Sequence, residues 1–381
     1  MRWPVFLIIL MEFTVVFASA PTKAAPCDVP VVLADGWRVA KPGDVGINGA
    51  ELCAVLDGVN SDKANVHSVI VERHRHLVAE LYRSGPDKSM NTLLGLGWPF
   101  APDVSFDASK IHDIRSISKS VIGLLVGIAV GEGKIDSVDL PVQAFYPDEL
   151  QGAIRLRHLL SMSSGLTWDE GGVPNDETRL FFSFNPARFV LKRPAAHDPG
   201  AVFNYNSGGV LVLGEILKDR YQQSLTELVN EKLFKPLDIT HWEFATDPFG
   251  RELAFTGLRM VPRDMVKLGR LMLDKGQWKG HQVVPADWVA QSMRAHISTG
   301  IKNLVSEDGP IQYGYLWWGG KVDWRGQSLS WSAGFGNGGQ RIFVVPALDL
   351  SVVMTAGAYN SAEISPHELK LFGQIVSAVE R

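Results

Sequence analysis

Cysteine is scarce in this chain. Cys27 and Cys53 are the only two among 381 residues. Two cysteines exclude a disulfide-framed scaffold and any cysteine-rich zinc module. In an oxidising compartment they are positioned to pair; in a reducing one they stay as two thiols, and the sequence leaves both readings open. The histidines are scattered, so no metal cluster is expected. His74 and His76 in ERHRH alternate as strand neighbours and are expected to face solvent. Charge of one sign is also missing. The net charge of -4 supplies no basic surface for nucleic acid and no polybasic patch for a membrane. There is no low-complexity tract and no repeat at a fixed period. No Gly-x-Ser-x-Gly occurs, which argues against an α/β-hydrolase. No Gly-Lys-Ser or Gly-Lys-Thr occurs, which excludes a phosphate loop.

What is present is an ordinary globular composition, 46% hydrophobic and 20% charged, with apolar residues enough for a large core. The N-terminus reads as a targeting segment. Met1 and Arg2 are followed by a mostly apolar run from Trp3 to Phe17, then Ala18-Ser19-Ala20. The run is short for a membrane span and carries Glu12. Export is therefore expected, periplasmic or secreted, with cleavage near residues 18–25 and no span in the mature chain. A retained N-terminal anchor is the alternative.

Strand-like alternation lies near both ends. Residues 66–71 and 77–82 read as a hairpin around His74-Arg75. Residues 313–318, 329–331, 340–345 and 350–355 read as further strands. Between them the pattern is mainly helical. Pro262 opens a helix ended by Gly276, Ser207 is a candidate cap for a helix at 210–217, and Ser365, Pro366 and Glu368 compose a capping box for the last helix. These signals predict an α/β (α+β) fold. An antiparallel sheet is built from both chain ends and flanked by helices, with a mainly helical region inserted. The expected division is a leader at 1–25, an α/β domain from 26–115 and 255–381, and a helical domain from 116–254. The site is expected in the cleft between them.

The segment RSISKSVIGLLVGIAVGEG, 115–133, is the most informative stretch. Its apolar residues run around every face of a helix, so the helix is expected to be buried. At its head stand Ser116 and Lys119, one turn apart on a shared face. Burial disfavours an ammonium, which predicts a Lys119 amine neutral enough to serve as a base. A serine at a helix N-terminus also sits where free N–H groups favour developing negative charge. The bland reading has Ser116 capping the helix and Lys119 reaching to the surface. Two further stretches favour chemistry. FNYNSGG, 203–209, sets Tyr205 before a helix, where its hydroxyl can relay a proton. WSAGFGNGGQRIFVVP, 331–346, is glycine-rich and leads into a strand. Its Gly334-x-Gly336-x-x-Gly339 lacks the following helix that a dinucleotide site requires. Its glycines are better suited to bringing backbone N–H groups close to a substrate. Trp317 and Trp318 are equally suited to a pocket wall or a core, and Asp169-Glu170 reads as a solvated turn.

In motif and order these stretches resemble the serine β-lactamase and penicillin-binding-protein superfamily, nearest its class C-like esterases and 6-aminohexanoate-dimer hydrolases. RSISKS resembles the nucleophile motif, RHLLSMSSGLTWDE the loop after it, YNS the tyrosine motif, and YGYLWW with GNGGQRIFVVP the final strands. The resemblance implies Ser116 as nucleophile, Lys119 as its base partner and Tyr205 as proton relay. It places an oxyanion hole at the Ser116 N–H and a backbone N–H near Gly336 and Asn337, with Ser207 lining the substrate site. It implies no cofactor and a small-molecule ester or amide as substrate, and leaves oligomeric state open. One departure matters. Where β-lactamases carry Lys-Ser-Gly or Lys-Thr-Gly, this chain reads Ser332-Ala333-Gly334, with no cation for a substrate carboxylate. An esterase or amidase is therefore expected. A β-lactamase, a D-Ala-D-Ala carboxypeptidase and a non-catalytic penicillin-binding-like sensor are the alternatives.

Overall fold

The computed structural model describes residues 28–97, 100–148, 153–172 and 174–381. The expected leader and its expected cleavage site lie outside them, as does Cys27, and with Cys27 the question of pairing to Cys53.

A nine-stranded sheet forms the centre, and both ends of the chain build it. Val66–Arg73 and His76–Tyr82 form the first hairpin. His74 and Arg75 both take positive φ, 52° and 64°, the conformation a tight two-residue hairpin turn needs. Leu350–Ala356 pairs antiparallel with Val66–Arg73, joining the C-terminal strands to the N-terminal hairpin. Gln340–Val345, Gln327–Gly336, Trp318–Trp324, Gln312–Tyr313 and Ile297–Ser298 follow outward from it. The sheet is not wholly antiparallel as expected: Arg38–Val39 runs parallel to His76–Tyr82 at one edge. The 313–318 stretch is also not one strand, because Leu316 takes a positive φ of 59° between two short strands.

Side-chain alternation sorts the sheet between two cores. Ile70, Ile342, Val344 and Val353 face one core, which holds Ile117–Gly131 and Pro262–Leu273. Val69, Val71, Phe343, Val345 and Val352 face the other, with Gly49–Ser61 and Ile364–Ser377. Burial on both faces explains why successive apolar residues, such as Val69-Ile70-Val71 and Ile342-Phe343-Val344-Val345, point alternately into the two cores.

Ile117–Gly131 is buried from Ile117 through Ala129. One position on it, Gly127, is packed too closely to accept a side chain. A Cβ at Gly127 would stand 2.2 Å from Trp288, whose indole N–H donates to Gly123 O at 3.0 Å. Short helices occupy much of the chain from Leu156 to Val229, with Ser207–Tyr221 the longest. Asn206, not Ser207, caps that helix, accepting from Gly209 N at 3.0 Å. The last helix begins at Ile364 and also lacks its expected cap. Ser365 Oγ accepts from Arg341 instead, and Glu368 is buried 2.9 Å from the same guanidinium.

Candidate active site

Ser116 owes its position to a strained residue before it. The chain leaves the short His112–Asp113 strand, and Arg115 takes a positive φ of 49°. That conformation disfavours a residue with a Cβ. Arg115 is held there by an ion pair to Asp113 at 2.9 Å and by its carbonyl, which accepts from Ser118 Oγ at 2.7 Å. The turn sets Ser116 at the head of the buried helix, and its hydroxyl makes no capping bond. The oxygen is therefore available for other chemistry.

Lys119 fills that role one turn on. Its side chain is 1% exposed. Nζ donates to Ser116 Oγ at 2.8 Å and to Phe255 O at 2.9 Å. It also lies 4.9 Å from the centre of the Tyr205 ring, and the Tyr205 hydroxyl interacts with both Ser116 and Lys119. Tyr205 is fixed by its neighbours in sequence. Asn204 N donates to Met162 O, Asn204 Nδ2 to Leu166 O and Trp168 O, and Asn206 N to the Met162 sulfur. The 157–170 loop thus cradles the tyrosine, and Trp318 stacks on its ring at 5.7 Å.

The electrostatics correct one expectation. Burial does push Lys119 toward neutrality, but its interaction with the Tyr205 oxygen and the charge of the Glu170 and Glu177 carboxylates outweigh it and leave the amine above its ordinary pKa. Burial likewise raises Tyr205, with Glu170 adding to the rise and Lys119 opposing it. At neutral pH the resting site holds an ammonium and a phenol, not a free amine.

Glu170 is the residue the sequence reading missed. It is not a solvated turn. Its carboxylate accepts from Trp168 Nε1 at 2.7 Å and from Ser207 N at 2.6 Å. Ser207 is fully buried, and its Oγ donates to Glu177 at 3.2 Å. Ser207 therefore does not line the cleft; it holds two carboxylates that do. Burial and the neighbouring Glu170 raise Glu177 above the usual carboxylate range.

Across the cleft, the turn at 336–339 presses against the nucleophile segment. A Cβ on Gly336 would lie 2.3 Å from Ile114 O, and one on Gly338 would lie 2.4 Å from the Tyr359 ring. Asn337 exchanges two hydrogen bonds with Asn360, of 2.7 and 2.9 Å. The cleft has a volume of about 780 Å³ and is lined by Ser116, Tyr205, Gly336 and Asn337 among others. Phe181, Leu96, Ile301 and Trp318 supply apolar wall. Of the two adjacent tryptophans, Trp317 is core at 1% exposed and Trp318 is wall.

The chain is similar to several known proteins. The 6-aminohexanoate-dimer hydrolase of Paenarthrobacter ureafaciens is 27% identical over 310 residues, 74% of this chain and 70% of that one. Protein flp of Staphylococcus aureus strain N315 is 29% identical over 142 residues, 35% of this chain and 28% of its own length. Among solved structures, a penicillin-binding protein homologue from Caulobacter crescentus superposes with a TM-score of 0.65 at 14% identity, over 87% of this chain and 95% of that one. EstCE1, a hydrolase with promiscuous acyltransferase activity, superposes with a TM-score of 0.63 at 17% identity, over 87% and 99%. The family model described as Beta-lactamase matches residues 68–368, a span that holds Ser116, Lys119, Tyr205 and the 336–339 turn, and the chain belongs to that family.

Proposed function

We propose that this chain is a serine hydrolase that cleaves an ester or amide through an acyl-enzyme on Ser116. The observation that carries the reading is the 2.8 Å contact between the Lys119 amine and a Ser116 hydroxyl that makes no capping bond. Ser116 Oγ attacks the substrate carbonyl, and its proton passes to the Lys119–Tyr205 pair once that pair has released its extra proton. The oxyanion forms against the Ser116 N–H and a backbone N–H at Asn337. Such donors typically contribute ~10²–10³ in turnover. Tyr205 returns the proton to the leaving group, and water then releases the acyl chain.

The cleft favours an uncharged acyl part. Aromatic and aliphatic side chains line it together with the Glu170 and Glu177 carboxylates; of the bordering cations, Arg341 is committed to Gly336 O, Ser365 Oγ and Glu368, Arg115 is paired with Asp113, and Lys302 is exposed to solvent. The strand facing Ser116 offers Ser332-Ala333-Gly334 where a β-lactam carboxylate would need a cation. The reading keeps the helical segment 116–254 as a unit distinct from 26–115 and 255–381, and has the chain exported on its leader. N-terminal sequencing of the mature protein tests the export.

A panel of short acyl esters, linear amides, D-amino-acid peptides and a cephalosporin, run beside Ser116→Ala, tests the function. Turnover of esters or amides that vanishes in Ser116→Ala is expected. A stable adduct that never hydrolyses would instead identify a sensor.

A further inference from the structure

Below the nucleophile segment, three side chains from three separate stretches meet. His67 lies on the Val66–Arg73 strand, Asp87 follows the Ser84–Pro86 strand, and His112 is on the strand leading to Ser116. All three are buried, at 0%, 5% and 1% exposure, and a ligand atom from each lies within 4.8 Å of the other two. The expectation of no metal cluster was drawn from sequence spacing, which cannot show this meeting.

The hydrogen bonds around the two imidazoles settle their tautomers. Asn65 Nδ2 donates to Pro86 O at 2.6 Å, so Asn65 turns its Oδ1 toward His67 Nε2, 3.0 Å away. An amide oxygen only accepts, so His67 Nε2 carries a hydrogen. His112 Nδ1 faces Asp113 O at 3.0 Å and carries one for the same reason. The remaining nitrogens, His67 Nδ1 and His112 Nε2, then face one another with lone pairs only, 2.9 Å apart. Two neutral imidazoles so arranged repel. Something positive belongs between them, and it is either a proton or a metal ion.

We propose that His67, His112 and Asp87 form a binding site for a divalent transition metal of the zinc class. Each outer imidazole N–H is already held by a carbonyl oxygen, the arrangement that orients histidine ligands and raises their basicity. Asp87 accepts from Tyr359 OH at 2.9 Å, which steers the carboxylate. Metal–nitrogen distances of ~2.0–2.1 Å are met by a small opening of the two rings. Phe106 stacks on His67 at 4.1 Å and closes one side.

The ion would act as a brace, not a catalyst. It would tie the Val66–Arg73 strand to the segment that ends in Ser116. Through Asp87 and Tyr359 it would also reach the Arg115 guanidinium, 4.5 Å above the tyrosine ring.

The test uses the full mature chain, purified without a metal-affinity tag, stripped with chelator and dialysed against Zn²⁺ or Co²⁺. About one equivalent of metal by mass spectrometry is expected, with visible Co²⁺ bands and a melting midpoint raised by at least ~3 °C. His112→Gln and Asp87→Asn, checked for folding by circular dichroism, lose the bound metal. Wild-type protein retaining below about 0.1 equivalent, with an unmoved midpoint, overturns the site. So does an ¹⁵N spectrum of the zinc-dialysed protein in which one proton is shared between the two rings.

Discussion

The Lys119 amine donates to the Ser116 hydroxyl oxygen across 2.8 Å while the Phe255 carbonyl holds it from behind at 2.9 Å. The contact is in place without substrate, and so is the obstacle to using it. Lys119 and Tyr205 both titrate above their ordinary values, so both are protonated at neutral pH and neither accepts the serine proton. Because the active form is the deprotonated one, kcat/KM rises with pH and is lost on the acid side. The limb reports the pair, not either residue alone. Glu170 raises both groups. In Glu170→Gln the limb therefore moves to lower pH, which a pH profile of ester hydrolysis measures directly.

Tyr205 is expected to act on protons and not on substrate affinity. Tyr205→Phe keeps the ring against Trp318 and removes only the hydroxyl. Loss of a positioned proton-transfer group typically costs ~10²–10⁴ in rate, so kcat falls by that factor while KM stays near wild type. Steady-state kinetics on one ester separates the two.

The 336–339 turn carries a backbone donor, so its shape matters more than its side chains. Gly338 sits at φ 90° with its missing Cβ directed at the Tyr359 ring. Gly338→Ala must shift the turn. A drop in kcat of about 10²-fold is expected, the size of a lost oxyanion donor. The fold is retained, as judged by circular dichroism.

Stability depends heavily on one buried cation. Arg263 is 2% exposed and makes two bonds of 2.6 Å to Glu80 and one of 2.8 Å to Asp35. It ties the Pro262–Leu273 helix to the sheet. Arg263→Ala leaves Glu80 buried and unpaired, which typically costs ~3–5 kcal/mol. Urea unfolding should show that loss with an unchanged slope.

Local periodicity made part of this legible from sequence. Ser116 and Lys119 are three residues apart on a helix, a spacing that brings them together whatever the rest of the chain does. The central strands were readable because apolar and β-branched residues cluster between turn signals, as at 340–345 and 350–355. The misreadings share a different origin. Glu170 follows Asp169 and looked like a polar turn; only the fold brings Ser207 and Trp168 to it. Ser365 and Glu368 fit a capping box until Arg341, on another strand, claimed both. Arg38–Val39 is too short to announce itself as a strand. The neutral lysine was inferred from burial alone, because the carboxylates that oppose it lie some 50 and 60 residues away in sequence. Apart from Arg38–Val39, long-range partners decided each case.

The central claim is that Ser116 becomes covalently acylated. Intact-mass analysis after a slowly hydrolysed ester, followed by peptide mapping, tests it most directly. The account predicts a single acyl adduct on Ser116 that decays with turnover, absent from Ser116→Ala and formed more slowly in Lys119→Met. An adduct mapping to another residue, or undiminished hydrolysis by Ser116→Ala, would contradict it.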